Sequence, residues 1–453
     1  MDKQEEKYTE GSIISSIWRL GWPAVTSMLL HTLMTLTDTI WVGRLGPTEM
    51  AAVQSSIFTI WTVFSMLMII STGVVAIISR AVGAGQTDEI GRIGRQSILF
   101  SIYVAIGYSI FGYIIAPHVF NFMDTETAVS QLGISYLRIF FIGVLFFFIN
   151  DSISAIFRAI GDTRAPLYAT TTAVLINIVL DPILIFGWLG IPALGTKGAA
   201  IATVVSAFCG TLLYLNMIRR GRLKYCLNFR LFEKLDFGLA KAIIKIGSPP
   251  ATAGMVFSVI YIFLNKIAAQ FGTISIAALT VGNRMESLSY LICFGFSIAA
   301  TTMVGQNLGA GKPYRAAKSA WMSVAICAGW TLFISILFLI FPDLLSRIFT
   351  SDEKVIAIAI NYLRILALSQ IFMAAEIVLE GAFAGAGNTV PPMVISIPGT
   401  VIRLPMAYYL CFETGLGIDG LWWTLTITTW IKALIMMYWF YLGRWKKTGI
   451  IKT

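Results

Sequence analysis

The stretch AVLINIVLDPILIFG at residues 173–187 carries two polar side chains and a proline within an otherwise apolar run. Asn177 and Asp181 are four residues apart, so on a helix they share one face. Pro182 lacks a backbone N–H and crowds the carbonyl of Ile178, which predicts a kink with freed carbonyl oxygens nearby. Because an ionisable group inside a membrane span is costly, Asp181 indicates a functional site.

Apolar runs of similar length recur along the whole chain. Of its 453 residues, 57% are hydrophobic and 12% charged, whereas soluble domains have about a quarter charged. A run of ~20 residues crosses the hydrocarbon core as a helix, the form that satisfies its own backbone. We therefore predict an all-α polytopic membrane protein with twelve transmembrane helices. They lie at residues 16–42, 50–78, 96–116, 133–157, 165–188, 198–217, 242–268, 275–304, 317–341, 356–384, 390–411 and 419–442.

The positive charge is distributed as a topology signal. Of the 33 Lys and Arg residues, 23 fall on the side that holds both termini and four on the other. The positive-inside rule then places both termini in the cytoplasm of a cell-membrane protein. We expect attraction to anionic lipid as a secondary effect and no nucleic-acid partner. The polar start, MDKQEEKYTE, does not resemble a cleaved signal peptide.

Nothing in the sequence indicates enzyme chemistry or a cofactor. The chain has two histidines and five scattered cysteines, which form neither a disulfide framework nor a metal-ligand pattern. The GAG turns at residues 83–85 and 309–311 lack the phosphate-loop pattern, so we interpret them as turns that end helices. We expect no catalytic residues, no cofactor and no metal beyond a coupling Na⁺.

The sequence repeats itself at a shift of 226 residues. The two GAG turns match, SYLRI (135–139) matches NYLRI (361–365), and FRAIGDTRAP (157–166) matches FAGAGNTVPP (383–392). Each copy holds six helices, an even number, so we predict two bundles related by a pseudo-two-fold axis along the membrane normal. A substrate path is expected between them.

The predicted organisation has five parts and suggests a monomer. They are a cytoplasmic tail (1–15), an amino-terminal lobe (16–217), a basic cytoplasmic linker (218–241), a carboxy-terminal lobe (242–442) and a second tail (443–453). Two lobes from one chain suit rocking around a central cavity better than a simple pore.

A set of motifs resembles the multidrug and toxic compound extrusion (MATE) family over residues 17–443. They are LTDTIWVGRLG (36–46), RAVGAGQ (80–86), FRAIGDTRAP (157–166) and QNLGAGK (306–312). The "IN…LDP" segment further resembles the DinF-like branch. In that branch, a helix-one Asp and the helix-five Asn and Asp form a cation site, which correspond here to Asp38, Asn177 and Asp181. The resemblance implies a cation-coupled exporter of organic compounds.

Helix depth points to the same residues. Asp181, Asp38 and Thr203 each lie ~8–10 Å from the outer ends of their predicted helices, and Asn177 is one turn deeper. Oxygen ligands suit Na⁺, by the logic of other hard cations. Burial and a second carboxylate both favour the protonated form, so a close Asp pair could instead hold a proton. The structural alternatives are helix bridging by Asn177 and backbone bonding by Thr203.

The second repeat does not copy these residues. At the shift of 226, Asp38 meets Leu264, Asn177 meets Arg403 and Asp181 meets Ala407. We regard other intramembrane polar residues as possible secondary or drug-binding groups: Asn150, Asp151, Glu376, Glu380 and Arg403. Pairing of Glu376 or Glu380 with Arg403 is an equally good structural explanation, since intramembrane charges tend to pair.

The favoured function is secondary active multidrug efflux. Organic compounds, often cations, would be exported by antiport against H⁺ or Na⁺, with alternating access between two lobes. The alternative is a lipid-linked oligosaccharide flippase, which would need a strongly cationic cavity for pyrophosphate. We count only six intramembrane cations away from the cytoplasmic ends of the spans, and acids accompany several of them: Arg138, Lys266, Arg284, Arg364, Arg403 and Lys432.

Overall fold

The computed structural model describes residues 6–123, 125–223 and 233–447. Within these ranges the regular elements are helices. They are α1 Glu6–Thr9, α2 Ile13–Gly43, α3 Pro47–Gly83, α4 Thr87–Phe122, α5 Thr127–Ile160, α6 Arg164–Phe186, α7 Thr196–Arg219, α8 Phe237–Ala269, α9 Thr273–Gly309, α10 Pro313–Ile340, α11 Pro342–Arg347, α12 Glu353–Ala367, α13 Gln370–Gly385, α14 Val390–Val401, α15 Arg403–Tyr408 and α16 Asp419–Tyr441. The predicted all-α class is confirmed. Parts of the predicted tails and linker lie outside the described residues.

Many of these helices have the length and composition of membrane spans. Among the described residues, nine apolar segments are long enough to cross a membrane, and the α12–α13 pair, bent by 56°, adds a tenth. One of the nine joins α14, α15 and a short π-helix, Tyr409–Glu413. Helices α2 and α16 have 31 and 23 residues. Each of the twelve predicted spans overlaps one of these helices or broken helices.

The two GAG turns end their helices in the same way. Gly85 and Gly311 have φ angles of 70° and 69°, a left-handed conformation that favours glycine. In the first turn the Gln86 amide donates to the Ala81 carbonyl at 3.0 Å, and in the second the Lys312 amide donates to the carbonyl of Asn307. These bonds satisfy carbonyls at a helix end, so both motifs are caps, as predicted from the sequence.

The chain divides into two compact units. The amino-terminal unit consists of residues 26–245, and the carboxy-terminal unit consists of residues 1–25 and 246–453. Helix α2 therefore contributes its start to the carboxy-terminal unit and its end, with Asp38, to the amino-terminal unit. Helix α8 is divided in the same manner at residue 245.

Each unit is built around one central helix. In the amino-terminal unit α5 packs against α3, α4 and α7, and α6 packs against α7. In the carboxy-terminal unit α9 packs against α10 and α13, and α13 packs against α16. Gly381 and Gly385 let α13 approach α9 closely, and the Thr301 hydroxyl donates to the Gly381 carbonyl at 2.9 Å. This close approach fixes the position of the acidic residues on α13.

Candidate cation-binding site

Helices α2 and α6 bring three of the predicted site residues together in the amino-terminal unit. Asn177 and Asp181 on α6 are fully buried, and the Asn177 amide Nδ2 donates to Asp181 Oδ1 at 3.3 Å. The carboxyl of Asp38, on α2, lies within hydrogen-bonding range of both side chains. Two acids from different helices therefore meet at one point.

Three oxygen atoms at this point lack a hydrogen-bond donor. They are Asp38 Oδ1, Asn177 Oδ1 and Asp181 Oδ2, all buried. Buried polar atoms in proteins are nearly always hydrogen-bonded, so three such acceptors on neighbouring side chains are unusual. Among the described residues, neither aspartate forms an ion pair with Lys or Arg. The chemistry of this donor set suits a proton or a hard cation such as Na⁺.

Helix α6 remains continuous through Pro182. It runs from Arg164 to Phe186 and ends at Gly187, whose φ angle is 77°. Pro182 cannot donate to the Ile178 carbonyl, which therefore lacks its usual helical donor one turn before the proline. The helix is not broken here, so the spacing of four residues keeps Asn177 and Asp181 on one face.

Thr203 bonds within its own helix. Its hydroxyl donates to the Ala199 carbonyl of α7 at 3.0 Å, as the structural alternative describes. The hydroxyl oxygen keeps a lone pair that a cation could use, and its role as a ligand stays a prediction.

Tyr136 on α5 is a site neighbour that our sequence reasoning missed. Asp38 and Asp181 both act electrostatically on its hydroxyl. The ring packs against the cluster formed by Val42, Ile185 and Ala199, at the carboxyl ends of α2 and α6. A signal was available, because Tyr136 is the tyrosine of the repeated SYLRI motif.

Aromatic side chains cover the same end of the unit. The Trp41 ring lies edge-on to Phe186 at 5.9 Å and to Trp188 at 6.2 Å between centroids. The Arg44 guanidinium lies over Trp41 at 4.7 Å. Trp41 is one helical turn beyond Asp38, so this aromatic cluster lies between Asp38 and the carboxyl end of α2.

Asn150 and Asp151 have structural partners. Asn150 Nδ2 donates to the Ala207 carbonyl at 2.8 Å, and the Thr211 hydroxyl donates to Asn150 Oδ1 at 2.8 Å. Asp151 faces Arg158 at 3.7 Å. These contacts favour helix bridging and charge pairing over substrate binding.

In the carboxy-terminal unit, the alternative pairing of Glu376 with Arg403 is not observed. Lys432 on α16 donates to Glu376 Oε1 at 2.6 Å, and both side chains are buried. Gly399 makes this pair possible, because any side chain there would collide with the methylene groups of Lys432. The alternative pairing of Glu380 with Arg403 is not observed either, because Glu380 accepts a hydrogen bond from the Ser396 hydroxyl at 2.8 Å.

Arg403 instead contacts hydroxyl groups. Its Nε donates to Thr428 at 3.0 Å and its Nη2 to Thr429 at 3.3 Å, while the Phe257 ring lies 5.8 Å from Cζ. The buried Nη1 atom makes no hydrogen bond.

The apolar helices and their duplication define a polytopic membrane protein built from two repeats. The MatE family profile matches residues 23–183 and again 249–409, so the two matches begin 226 residues apart, as the internal repeat predicts. The chain belongs to this family.

Relatives and solved structures share its full length. A probable multidrug resistance protein NorM of Thermotoga maritima is 30% identical over 447 residues, which cover 96% of this chain and 93% of the relative. YoeA of Bacillus subtilis, a probable multidrug resistance protein, is 26% identical over 99% of this chain and 98% of its own. A crystal structure of MATE in the straight conformation has a TM-score of 0.91 at 24% identity, covering 99% of this chain and 100% of the other. At 24% identity, the similarity to this solved structure shows a shared fold.

Proposed function

We propose that this protein exports small organic molecules across the cell membrane by antiport against H⁺ or Na⁺. Relatives in the family are named as probable multidrug resistance proteins, which supports drug efflux as the transport class. The observation that carries the coupling proposal is the group of three donorless oxygens on Asp38, Asn177 and Asp181.

Occupancy of this group would change its electrostatics strongly. Two ionised carboxylates in an apolar environment repel each other, and a bound proton or Na⁺ removes that repulsion. Asp38 lies on α2, whose first residues belong to the carboxy-terminal unit. A shift of Asp38 on binding or release would therefore be transmitted along one helix to both units, which is how we propose that the cation drives alternating access.

The proposal also covers the topology, the oligomeric state and the partners of the protein. Both termini lie in the cytoplasm, the protein acts as a monomer, and its partners are small organic substrates and the lipid bilayer. The flippase alternative is weaker, because one of the buried cations, Lys432, is already neutralised by Glu376.

Reconstituted transport tests the proposal. Purified protein in proteoliposomes is given a fluorescent organic cation and either an imposed Na⁺ gradient or an imposed pH gradient, one at a time. We expect one gradient to drive export in the wild type, and Asp38→Asn to reduce that export to background. Asp343→Asn is the matched control, because Asp343 is an exposed acid whose one ion-pair partner among the described residues is Arg347 on its own helix.

Gradient-independent accumulation, or full activity of Asp38→Asn, would overturn the coupling proposal. Loss of export in Asp343→Asn to the same extent would show that removal of any acid disables the protein.

A further inference from the structure

Arg403 is a buried cation with unused hydrogen-bond donors. The residue is 4% exposed and follows the break between α14 and α15 at Ile402. A guanidinium has five N–H donors in a planar fork. Thr428 and Thr429 accept from Nε and Nη2, and the Tyr261 hydroxyl lies within hydrogen-bonding range of the group. Nη1, which carries two of the five N–H groups, has no partner.

Arg403 also lacks a carboxylate in direct contact. Among the described residues, Glu376 is paired with Lys432, and Glu380 accepts a hydrogen bond from the Ser396 hydroxyl. Glu286 acts on Arg403 electrostatically but forms no salt bridge with it. A buried charge held only by neutral hydroxyls is costly, so an anionic group that approaches Nη1 would be strongly favoured.

The surface beside Arg403 combines rings and acids. Phe257, whose ring neighbours the guanidinium, is 39% exposed, and Tyr290 on α9 is 45% exposed. Tyr290 lies in the electrostatic neighbourhood of Glu380, and Glu286 and Glu380 are both half-buried rather than sealed in the core. A buried guanidinium, partly exposed aromatic rings and half-buried carboxylates therefore lie close together in the carboxy-terminal unit.

We propose that Arg403 binds the carboxylate of amphoteric aromatic substrates, while Phe257 and Tyr290 contact their rings and Glu286 and Glu380 face their cationic end. The proposal rests on the export function proposed above and specifies its substrate class. A guanidinium matches a carboxylate bidentately, which a lysine ammonium does not.

A matched pair of dyes tests it. A rhodamine with a free carboxylate and its methyl ester share one cationic ring system and differ in the anionic group alone. Their binding to the purified full-length protein is measured by fluorescence anisotropy. In Arg403→Gln we expect affinity for the acid to fall at least about tenfold, with the affinity for the ester changed less than about twofold. Arg403→Lys should be intermediate, because it keeps the charge and loses the fork.

Arg138→Gln is the control for loss of an intramembrane cation. Arg138 lies in the amino-terminal unit against the Tyr113 ring at 4.8 Å, and its replacement should leave the ratio of acid to ester affinity unchanged. A parallel loss of both dyes in Arg403→Gln would assign Arg403 a purely structural role and overturn the proposal, as would a wild type that does not bind the acid. Export of the ester alone, with acid binding independent of Arg403, would overturn this inference and leave the export function intact.

Discussion

The two units carry opposite chemistry at the same repeat positions. Asn177 in the amino-terminal unit corresponds to Arg403 in the carboxy-terminal unit, and Asp181 corresponds to Ala407. The region around Asn177 has three buried acceptor oxygens without a hydrogen-bond donor, whereas the Arg403 Nη1 atom is a buried donor without an acceptor. The scaffold is shared even so, because Tyr136 and its counterpart Tyr362 each border their site.

This difference shows how a duplicated membrane protein can diverge. Helix packing depends on many apolar and small residues, which a single polar replacement inside a unit leaves in place. The charge at a buried point depends on one or two side chains, because low dielectric amplifies each of them. One repeat can therefore hold buried acceptor oxygens and the other a buried guanidinium without a change of fold.

The substitution with the largest expected effect on export is Asn177→Arg. It places the cation of the second repeat beside Asp38 and Asp181, where it would neutralise the carboxylates permanently. We expect gradient-driven export of the cationic dye in proteoliposomes to fall to background. Asn177→Ala is the milder counterpart, with a loss of about tenfold from one missing ligand. Export by Asn177→Arg at the wild-type rate would contradict the cation-site assignment.

The two buried cations of the carboxy-terminal unit should differ in their effect on stability. Lys432→Met leaves Glu376 as an unpaired buried acid and should lower the free energy of unfolding by about 3–5 kcal/mol. Arg403→Met leaves no such acid and should cost less. Denaturant unfolding in detergent provides the measurement, and the double variant Lys432→Met/Glu376→Gln should recover most of the loss. A greater loss in Arg403→Met than in Lys432→Met would invert the comparison.

Removal of the two repeated tyrosine hydroxyls should separate coupling from stability. Tyr136→Phe removes a polar group beside the carboxylates. We therefore expect the concentration of the driving cation that gives half-maximal export to shift about threefold, which corresponds to less than about 1 kcal/mol. Tyr362→Phe loses a hydrogen bond to Asn283 of 3.2 Å and should lower stability by about 1 kcal/mol with the same cation dependence. Identical cation shifts in both variants would mean that neither hydroxyl is specific to the site.

The smallest expected effect concerns the segments that precede α2 and α8. The Leu239 amide donates a hydrogen bond to the Asp236 carboxylate, and the Arg92 guanidinium lies 2.7 Å from it. Both interactions lower the pKa of Asp236 below its ordinary 3.8. This lowered pKa stabilises the folded state at pH values above the ordinary pKa. The contribution is lost as the pH falls through the lowered pKa. Asp236→Asn should cost at most about 1 kcal/mol near neutral pH and nothing in strong acid.

Melting temperatures across the acid range check this expectation. Glu10→Gln is the matched variant, because Glu10 precedes α2 and pairs with Lys312 on the surface at 3.0 Å. A penalty for Asp236→Asn that persists undiminished in strong acid would contradict the assigned cause.

Sequence reasoning succeeded where the signal was carried by many residues or by one helix. The twelve spans rest on apolar runs, and the shared face of Asn177 and Asp181 follows from helical periodicity. It failed for Lys432, which was visible as an intramembrane cation but was not connected to Glu376. That pair joins α13 and α16 through the space left by Gly399, and spacing along the chain carries no information about it.

The amino-acid order alone determined the helical class, the duplication and the shared helix face of Asn177 and Asp181, because hydrophobic length and periodicity are local properties of the chain. Tertiary packing decided which polar atoms meet: that Asp38 reaches Asp181, that Lys432 rather than Arg403 satisfies Glu376, and that Tyr136 borders the carboxylates. These contacts depend on how helices distant in sequence rotate and approach one another. Packing of whole surfaces sets that geometry, and no single residue encodes it.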